Sequence, residues 1–307
     1  ATPVTLGELG SAVVAEKLTG GGLSWDVGPF RVRVRTDIAH VATDLALLYR
    51  DFPTREHDGV VDVDVVVGRV GILRRHISIC VDGEPVYVRV PARLATPMLE
   101  WTLNVTVFQR PHQYLVRHAA VLEREGKALL LCGQAGSGKS TLCAALMHRG
   151  WRLLSDEVAV IRPEDGRVVP VPRPVSLKGA SIDVIRRFAP DATIGPAWER
   201  TIKGTVAHAL PSSESVVRSG ETAAPTWLVF PTYRAGSAAA LDDVSKPRAL
   251  LQAADNAFNY SVLGETAFAT LGTVIDRCRC ASLTFGDLER AVGAFESMRL
   301  DGRVHAR

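Results

Sequence analysis

The stretch GQAGSGKST, residues 133–141, combines small residues with one lysine and two hydroxyl side chains. It matches the pattern G-x-x-x-x-G-K-[ST], with Gly133, Gly138, Lys139 and Ser140 at the fixed positions. Small residues allow successive backbone N–H groups to point at phosphate oxygens, and the N-terminus of a following helix adds partial positive charge. The sequence therefore predicts a phosphate-binding loop.

The loop residues have distinct expected roles in binding ATP and Mg²⁺. Lys139 is expected to reach the β- and γ-phosphates, and the Ser140 hydroxyl to ligate Mg²⁺. The predicted nucleotide-binding residues are Gly133, Ala135, Gly136, Ser137, Gly138, Lys139, Ser140 and Thr141. The alternative is a glycine turn that binds nothing, but an apolar strand at 128–132 and an amphipathic helix after the loop favour the phosphate site.

Two neighbouring carboxylates, Asp156 and Glu157, follow the short apolar stretch RLLS soon after the helix of the loop. The carboxyl ends of adjacent parallel strands face one ligand crevice, so we expect both side chains to face the terminal phosphate. One carboxylate can bind the metal ion while the other accepts a proton, and the spacing leaves this assignment open. The alternative is an ordinary turn or helix-cap pair.

Basic residues and a histidine near these motifs are further candidates. His118 lies fifteen positions before the loop, on the predicted preceding strand, where a single histidine is more often structural. Arg173 and Lys178, in PRPVSLKG, either reach phosphate oxygens or lie on a solvated hairpin edge. Lys203 and His208, in IKGTVAH, are candidates for a mobile lid that neutralises charge.

The first third of the chain has the patterns of strands. PFRVRVRTD and VVDVDVVVG alternate apolar and charged residues, as half-buried strands do. ISICVDGEPVYVRV predicts a hairpin with Asp82-Gly83 at its turn. Residues 38–49 and 95–108 have helical spacing. We therefore predict a strand-rich region with two helices before residue 110.

After Pro111 the pattern changes. YLVRHAAVLERE, KALLLCG, STLCAALMHRG and WRLLSDEVAVIR predict a strand–strand–helix–strand run, and a hairpin with Asp165-Gly166 at its turn follows. Residues 189–224 are predicted to be loop, PTWLVFPTY a strand, and 246–298 largely helical. The predicted fold class is α/β, with a mixed sheet carrying the helix of the loop on one face. We place a boundary between regions 1–110 and 111–307, and leave open whether the two share one sheet.

Composition restricts the classes of function. The chain has 307 residues, 47% hydrophobic and 22% charged, as in a globular protein of one or two domains. A net charge of +3 does not favour nucleic acid or an anionic membrane surface as partner, and no apolar run approaches the about 18 residues of a membrane span. We expect a cytoplasmic protein.

Two further sets of residues are interpreted as structural. The five cysteines are scattered, and Cys278 and Cys280 have no matching Cys or His pair nearby that would complete a zinc site. Asn256 and Asn259, in DNAFNY, are interpreted as helix-end hydrogen bonders rather than ligands.

Together these motifs resemble the HPr kinase/phosphorylase family. Residues 118–158 follow the core of that family without a gap, with a histidine, the glycine loop, Arg149-Gly150 and an acidic pair in that order. The resemblance implies that Asp156 accepts the proton of a hydroxyl and that His118 lies in the same pocket. Ser140 and Glu157 are then the predicted metal ligands. It also implies a P-loop kinase core similar to the carboxykinase fold and, because that family forms hexamers, a homo-oligomer.

Three other stretches, PRPVSLKG, FPTY and FNY, are similar to the branch called HPr-kinase-related kinase A. Members of that branch accompany small PqqD-like peptide-binding proteins, and related kinases act on lasso peptides. The glycine-rich signature that follows the core in HPr kinase/phosphorylase is not recognisable here. The resemblance therefore implies a kinase for a peptide or small-molecule hydroxyl in a biosynthetic cluster, with a PqqD-like protein as a candidate partner.

The preferred interpretation is an ATP-dependent kinase that transfers the γ-phosphoryl group to a hydroxyl of a peptide, small protein or small molecule. Its predicted catalytic residues are Asp156, His118 and Lys139, and its cofactors ATP and Mg²⁺. One alternative is a P-loop hydrolase or switch, although the N/T-K-x-D motif that reads guanine is absent. The other is a nucleotide-binding sensor or scaffold, which would lack a lysine, hydroxyl or carboxylate that this chain retains.

Overall fold

The computed structural model describes residues 3–55, 60–72, 75–109, 113–254 and 258–297. The elements before residue 110 are α1 (Leu6–Thr19), β1 (Leu23–Val27), β2 (Phe30–Thr36), α2 (Ala39–Leu48), β3 (Thr54–Arg55), β4 (Val63–Val70), β5 (His76–Val81), β6 (Glu84–Pro91), a 3-10 turn (Ala92–Leu94) and α3 (Ala95–Gln109). The elements after residue 112 are β7 (Leu115–Arg124), β8 (Lys127–Cys132), α4 (Lys139–Met147), β9 (Arg152–Ser155), β10 (Val158–Ile161), β11 (Val168–Val169), β12 (Val175–Lys178), α5 (Ala180–Phe188), β13 (Trp198–Thr201), β14 (Gly204–Ala209), α6 (Ser213–Val217), β15 (Ala224–Tyr233), β16 (Ala240–Asp243), α7 (Lys246–Ala254), α8 (Tyr260–Leu263), α9 (Glu265–Arg277), β17 (Arg279–Phe285) and α10 (Leu288–Ser297).

The N-terminal strands form a six-stranded sheet in the order β3-β1-β2-β4-β5-β6. Strands β2 and β4 are parallel, and the other pairs are antiparallel. Alternation in β2 separates its two faces, because Val32 and Val34 join the apolar core while Arg33 and Arg35 pair with Asp64. The predicted strands, the hairpin at Asp82-Gly83 and the two predicted helices are confirmed.

The second sheet contains the glycine loop and runs in the order β11-β10-β7-β8-β15-β17-β16, with β9 also paired to β7. Strands β8, β15 and β17 are mutually parallel, so their carboxyl ends meet at one edge. Helices α4 and α10 cover one face of this sheet, and α7 and α9 cover the other. The fold class α/β with mixed sheets is confirmed.

The segment WRLLSDEVAVIR, predicted as one strand, is interrupted at Asp156–Glu157. Its halves, β9 and β10, both pair antiparallel with β7, and the register runs from Ser155 opposite Val121 to Val158 opposite His118. The expectation that Asp156 follows a strand adjacent to β8 is wrong, because β7 lies between β8 and β9. Strands β8 and β9 nevertheless run in the same direction, since both are antiparallel to β7.

One prediction of secondary structure is wrong and another is confirmed. Residues 189–224, predicted to be loop, contain β13, β14 and α6, and β14 lies at the centre of a three-stranded sheet in the order β12-β14-β13. The segment 246–298, predicted to be largely helical, contains α7, α8, α9 and α10 and, between the last two, the strand β17. Strand β14 pairs with β12 and β17 with β15, and these partners, distant in sequence, are not visible in the local pattern.

The two regions of the chain have separate sheets but a shared core. Val116, Val158 and Val160 pack in the same apolar cluster as the N-terminal sheet and its helices. Arg173 also forms an ion pair with Glu100 on α3, 2.6 Å between Nη2 and Oε2, with both side chains buried. The N-terminal region therefore supports the strands that carry the acidic pair, and a domain boundary near residue 110 stays a prediction.

Candidate active site

The glycine loop leaves β8 at Cys132 and enters α4 at Lys139, as predicted. Gly138, at the N-cap of α4, has a φ angle of 94°, which side chains other than glycine rarely adopt. A Cβ atom at this position would lie 3.0 Å from Cζ of Phe285. Both the backbone conformation and the packing therefore require glycine at the start of the helix.

The loop is anchored to the end of β15, and its centre is open to solvent. The N–H of Tyr233 donates to the carbonyl of Ser137 over 3.1 Å, and the N–H of Ser137 donates to the carbonyl of Gln134 over 3.3 Å. Ala135 and Gly136 are exposed. The Ser137 hydroxyl is buried and has no hydrogen-bond partner within the described ranges. The loop is thus held at one end and offers an unused polar atom.

Lys139 folds its ammonium over the loop. Its Nζ donates to the carbonyls of Gly133 and Gln134 over 2.6 and 2.8 Å, and the side chain is almost fully buried. Burial lowers the pKa of Lys139, and the charges of Glu157 and Asp156 oppose this effect. The structure therefore brings the lysine of the loop within electrostatic range of the acidic pair.

Asp156 is buried at the interruption between β9 and β10. One carboxylate oxygen, Oδ2, accepts from the N–H of Ser176 on β12 over 3.0 Å, while Oδ1 has no partner of hydrogen-bonding geometry among the described residues. Burial and the charge of Glu157 raise the pKa of Asp156 to about 7, against the opposing effects of the Ser176 amide, Lys178 and the nearby Ser140 hydroxyl. This carboxyl group thus titrates near neutral pH.

Glu157 has the opposite electrostatic setting. Its Oε2 lies 3.5 Å from Nε2 of His118, and its Oε1 lies 3.5 Å from Nζ of Lys178. Burial alone would raise the pKa of Glu157, but the hydrogen bond from His118 and the charges of Lys178, His118 and Lys203 lower it to about 2. Two adjacent carboxyls whose pKa values are driven apart are typical of a site that divides charge binding from proton transfer.

The structure places His118 in the pocket of the acidic pair, where it contacts Glu157. The ring of Phe258, which is 48% exposed, has its centre 6.2 Å from the centre of the His118 ring. Next to Phe258, Asn259 donates its amide to the carbonyl of Tyr114 over 2.8 Å and accepts from the N–H of Val116 over 3.0 Å. Asn259 therefore bridges to β7 rather than capping α8, and Asn256 lies outside the described residues.

Two of the predicted basic residues lie at the site. Lys178 pairs with Glu157. Burial lowers the pKa of Lys203, and the charge of the nearby Lys178 lowers it further, while the charge of Glu157 raises it. The Lys203 ammonium lies 4.8 Å from the centre of the Trp101 ring on α3. These two side chains surround the exposed side of Glu157 with positive charge.

The predictions for Arg173 and His208 are wrong. Arg173 neither reaches the loop nor lies on a solvated edge, because its guanidinium is buried against Glu100, Tyr49 and Asn104. His208 is not part of a mobile lid: it is buried in β14 with its ring 5.5 Å from that of Trp198. Burial lowers the pKa of His208 to about 4, so the side chain is neutral.

The cysteines are free thiols, and Cys278 and Cys280 are buried. In the described part of the chain, no group of three or more His, Cys, Asp or Glu side chains is arranged to hold a metal ion. None of the helices in these ranges is long and apolar enough to cross a membrane.

Sequence reasoning missed contacts made by backbone atoms and by distant aromatic rings. Ser176 meets Asp156 through its N–H, which residue type does not reveal. Tyr233 and Phe285 flank the loop from the ends of β15 and β17, with ring centres 5.7 Å apart. Ser176 lies in PRPVSLKG and Tyr233 in FPTY, whereas no sequence signal indicated Phe285.

A scan of protein-family models finds no match for this chain, and a search of curated proteins finds no significant match.

Proposed function

We propose that this protein is an ATP-dependent kinase that transfers the γ-phosphoryl group to a hydroxyl of a peptide, small protein or small molecule. The observation that supports this most directly is the position of Lys139, whose ammonium lies on the glycine loop within electrostatic range of two carboxyls of different pKa. A transferase to a hydroxyl needs a positively charged phosphate site and a proton acceptor beside it. The loop and Asp156 have these properties.

The residues present fit ATP and Mg²⁺. The loop backbone around Gly136 is exposed, and Ser137 Oγ and Asp156 Oδ1 are buried polar atoms without partners in the described ranges. In this proposal the loop holds the phosphates, Lys139 releases its two carbonyl partners to bind them, and Ser140 with Glu157 ligates Mg²⁺. Bound ATP with Mg²⁺ supplies the phosphoryl group that the acceptor receives.

Asp156 takes the proton in this scheme. Its Oδ2 is fixed by the Ser176 amide, so Oδ1 is the atom that accepts the proton from the acceptor hydroxyl. A base with a pKa near 7 combines the ionised form with useful proton affinity at neutral pH. Glu157, held ionised between His118 and Lys178, keeps its negative charge for the metal ion.

The proposal extends to the relatives and partners that the sequence resemblance implies. We place the chain among HPr kinase-like P-loop kinases, in the kinase A branch, with a core of the carboxykinase type. A cytoplasmic location, a PqqD-like partner and a homo-oligomer belong to the same proposal. The positions of PRPVSLKG, FPTY and FNY next to Asp156, the loop and His118 respectively support it, because those stretches carry the similarity to the branch.

The test follows labelled phosphate from ATP. The protein is incubated with γ-labelled ATP and Mg²⁺, with and without a pool of Ser- and Thr-containing peptides, free serine and glycerol. A kinase forms ADP faster when a hydroxyl probe is present, and the label appears on that probe. Release of labelled inorganic phosphate at the same rate with every probe would instead indicate a hydrolase, and ATP binding without turnover would indicate a sensor.

A further inference from the structure

A cavity beside the glycine loop is lined by neither Asp156 nor Glu157. Its volume is about 550 Å³, within the range of small-molecule sites. The lining residues come from the loop, α5, the end of β15 and the β17–α10 connection, and they include Gly138, Thr141, Phe188, Tyr233, Phe285 and Asp287. The cavity therefore lies at the carboxyl ends of the parallel strands, where open α/β sheets bind their ligands.

The cavity and the acidic pair differ in chemistry. Lys139, within electrostatic range of the acidic pair, serves the β- and γ-phosphates in loops of this type. The 550 Å³ cavity is lined instead by Thr141, one position after Ser140, and by the glycines of the loop. A nucleoside triphosphate with its γ-phosphate toward Asp156 therefore extends its other end toward this cavity.

The walls of the cavity suit a flat aromatic group. Phe285 is buried beneath the loop, and the Tyr233 ring, 52% exposed, stands edge-on to it. The opposite wall contains Phe188, which the Arg149 guanidinium covers at 4.2 Å from the ring centre. Arg149 in turn forms an ion pair with Glu289, which also lines the cavity, over 2.5 Å.

We propose that this cavity binds the nucleoside of the nucleotide, with the exposed Tyr233 ring as the platform on which the base stacks. The inference rests on the proposed binding of ATP at the loop. It adds the residues that select and hold the base, which the motif of the loop does not supply. Tyr233 suits this role because its backbone N–H donates to the carbonyl of Ser137 in the loop. This bond holds the Tyr233 ring at a fixed position relative to the loop.

The test separates base binding from phosphate binding with two probes. Calorimetry measures the affinities of ATP–Mg²⁺ and of tripolyphosphate–Mg²⁺, which has no nucleoside, for the whole protein and for Tyr233→Ala. Loss of one base–aromatic stack is expected to weaken ATP by about fivefold or more while tripolyphosphate binding changes little. Tyr233→Phe, which keeps the ring, should restore most of the ATP affinity. Phe268→Ala removes a comparably exposed ring on α9, across the sheet, as the matched control.

The ratio of the two affinities decides the outcome. A ratio unchanged in Tyr233→Ala overturns the nucleoside site, and if ATP still binds the unaltered protein, the proposed kinase function survives. If the ratio is unchanged because both affinities fall equally, Tyr233→Ala has disturbed the loop rather than removed a stack, and the nucleoside site is overturned in this case too. Failure of the unaltered protein to bind either probe overturns the proposed function itself.

Discussion

Nε2 of His118 lies 3.5 Å from Oε2 of Glu157, and Asp156, one residue earlier, is held by the amide of Ser176 instead. The two carboxyls of the site therefore have different hydrogen-bond partners. Glu157 contacts an ionisable side chain, and Asp156 accepts from a neutral backbone amide. This difference gives each of them a separate experimental signature.

His118 should act through Glu157. In His118→Ala, the loss of its hydrogen bond raises the pKa of Glu157 from its low value and loosens its side chain. We expect a higher Mg²⁺ requirement for phosphotransfer and a smaller loss at saturating Mg²⁺ than Asp156→Asn produces. A titration of activity against Mg²⁺ measures this, and an unchanged Mg²⁺ requirement would contradict it.

Asp156→Asn should separate chemistry from binding. Removal of a general base typically costs about 10²–10⁴-fold, so transfer should fall by that order while ATP affinity largely persists. Glu157→Gln is the companion variant, and we expect it to weaken Mg²⁺-dependent ATP binding. Both quantities are measured on each purified variant. If ATP affinity collapses with transfer in Asp156→Asn, the roles of the two carboxyls are exchanged.

Lys139→Ala should remove most of the stabilisation that nucleotide confers. Binding stabilises a fold by RT ln(1 + [L]/Kd), which is about 2.7 kcal/mol at a hundredfold excess over Kd. Thermal melts with and without ATP–Mg²⁺ report the difference as a shift in Tm. Lys17→Ala, on the exposed face of α1, is the matched control and should keep the full shift. No shift in the unaltered protein would count against nucleotide binding at the loop.

His208 should contribute stability that is lost in weak acid. Burial lowers its pKa from 6.5 to about 4, so between these values the unfolded chain binds a proton that the folded chain does not. The contribution is complete above about pH 6.5 and is lost as pH falls toward 4, with an upper limit of about 3 kcal/mol. Urea unfolding across this range should show the free energy of unfolding of the unaltered protein falling relative to that of His208→Gln as the pH is lowered. The comparison with the variant isolates His208, because the lowered pKa values of His40 and His148 act in the same direction and the raised pKa of Asp156 acts in the opposite one.

Breaking the buried pair of Arg173 and Glu100 should be costly. Removing one partner leaves the other charge uncompensated, so Arg173→Met or Glu100→Gln should lower the free energy of unfolding by about 3–5 kcal/mol. The double variant Arg173→Met/Glu100→Gln should lose less than the two single variants combined. Arg186→Ala breaks the exposed pair with Asp183 and should cost under about 1 kcal/mol. Similar losses in the buried and exposed pairs would refute the argument.

The sequence sufficed where structure is local. The loop, its strand and its helix occupy consecutive residues, so the pattern from Gly133 to Thr141 located them correctly. The position of Asp156 beside the loop was also correct, although the supposed neighbouring strand was wrong, because the order of strands in a sheet is set by distant pairing.

Long-range partners account for the failures. Arg173 has the residue type of a phosphate ligand, but a carboxylate 73 positions earlier fixes it in the interior. His208 has no local feature that distinguishes a buried ring from an exposed one, and its depth comes from β12 and β13 on either side of β14. Strands β13 and β14 are short and pair with each other, and the sequence pattern of neither one alone predicted a strand.

Because the two regions share a core, the region that contains the glycine loop depends on the N-terminal region. A fragment that starts at residue 111 would carry the Arg173 charge without Glu100, and would turn the apolar side chains of Val116, Val158 and Val160 toward water. We expect such a fragment to aggregate or to need the N-terminal segment supplied in trans. The first hundred residues would then be required for the rest of the chain to fold. Exchanging them alone, for example by recombination, would abolish the function of the loop without altering its sequence.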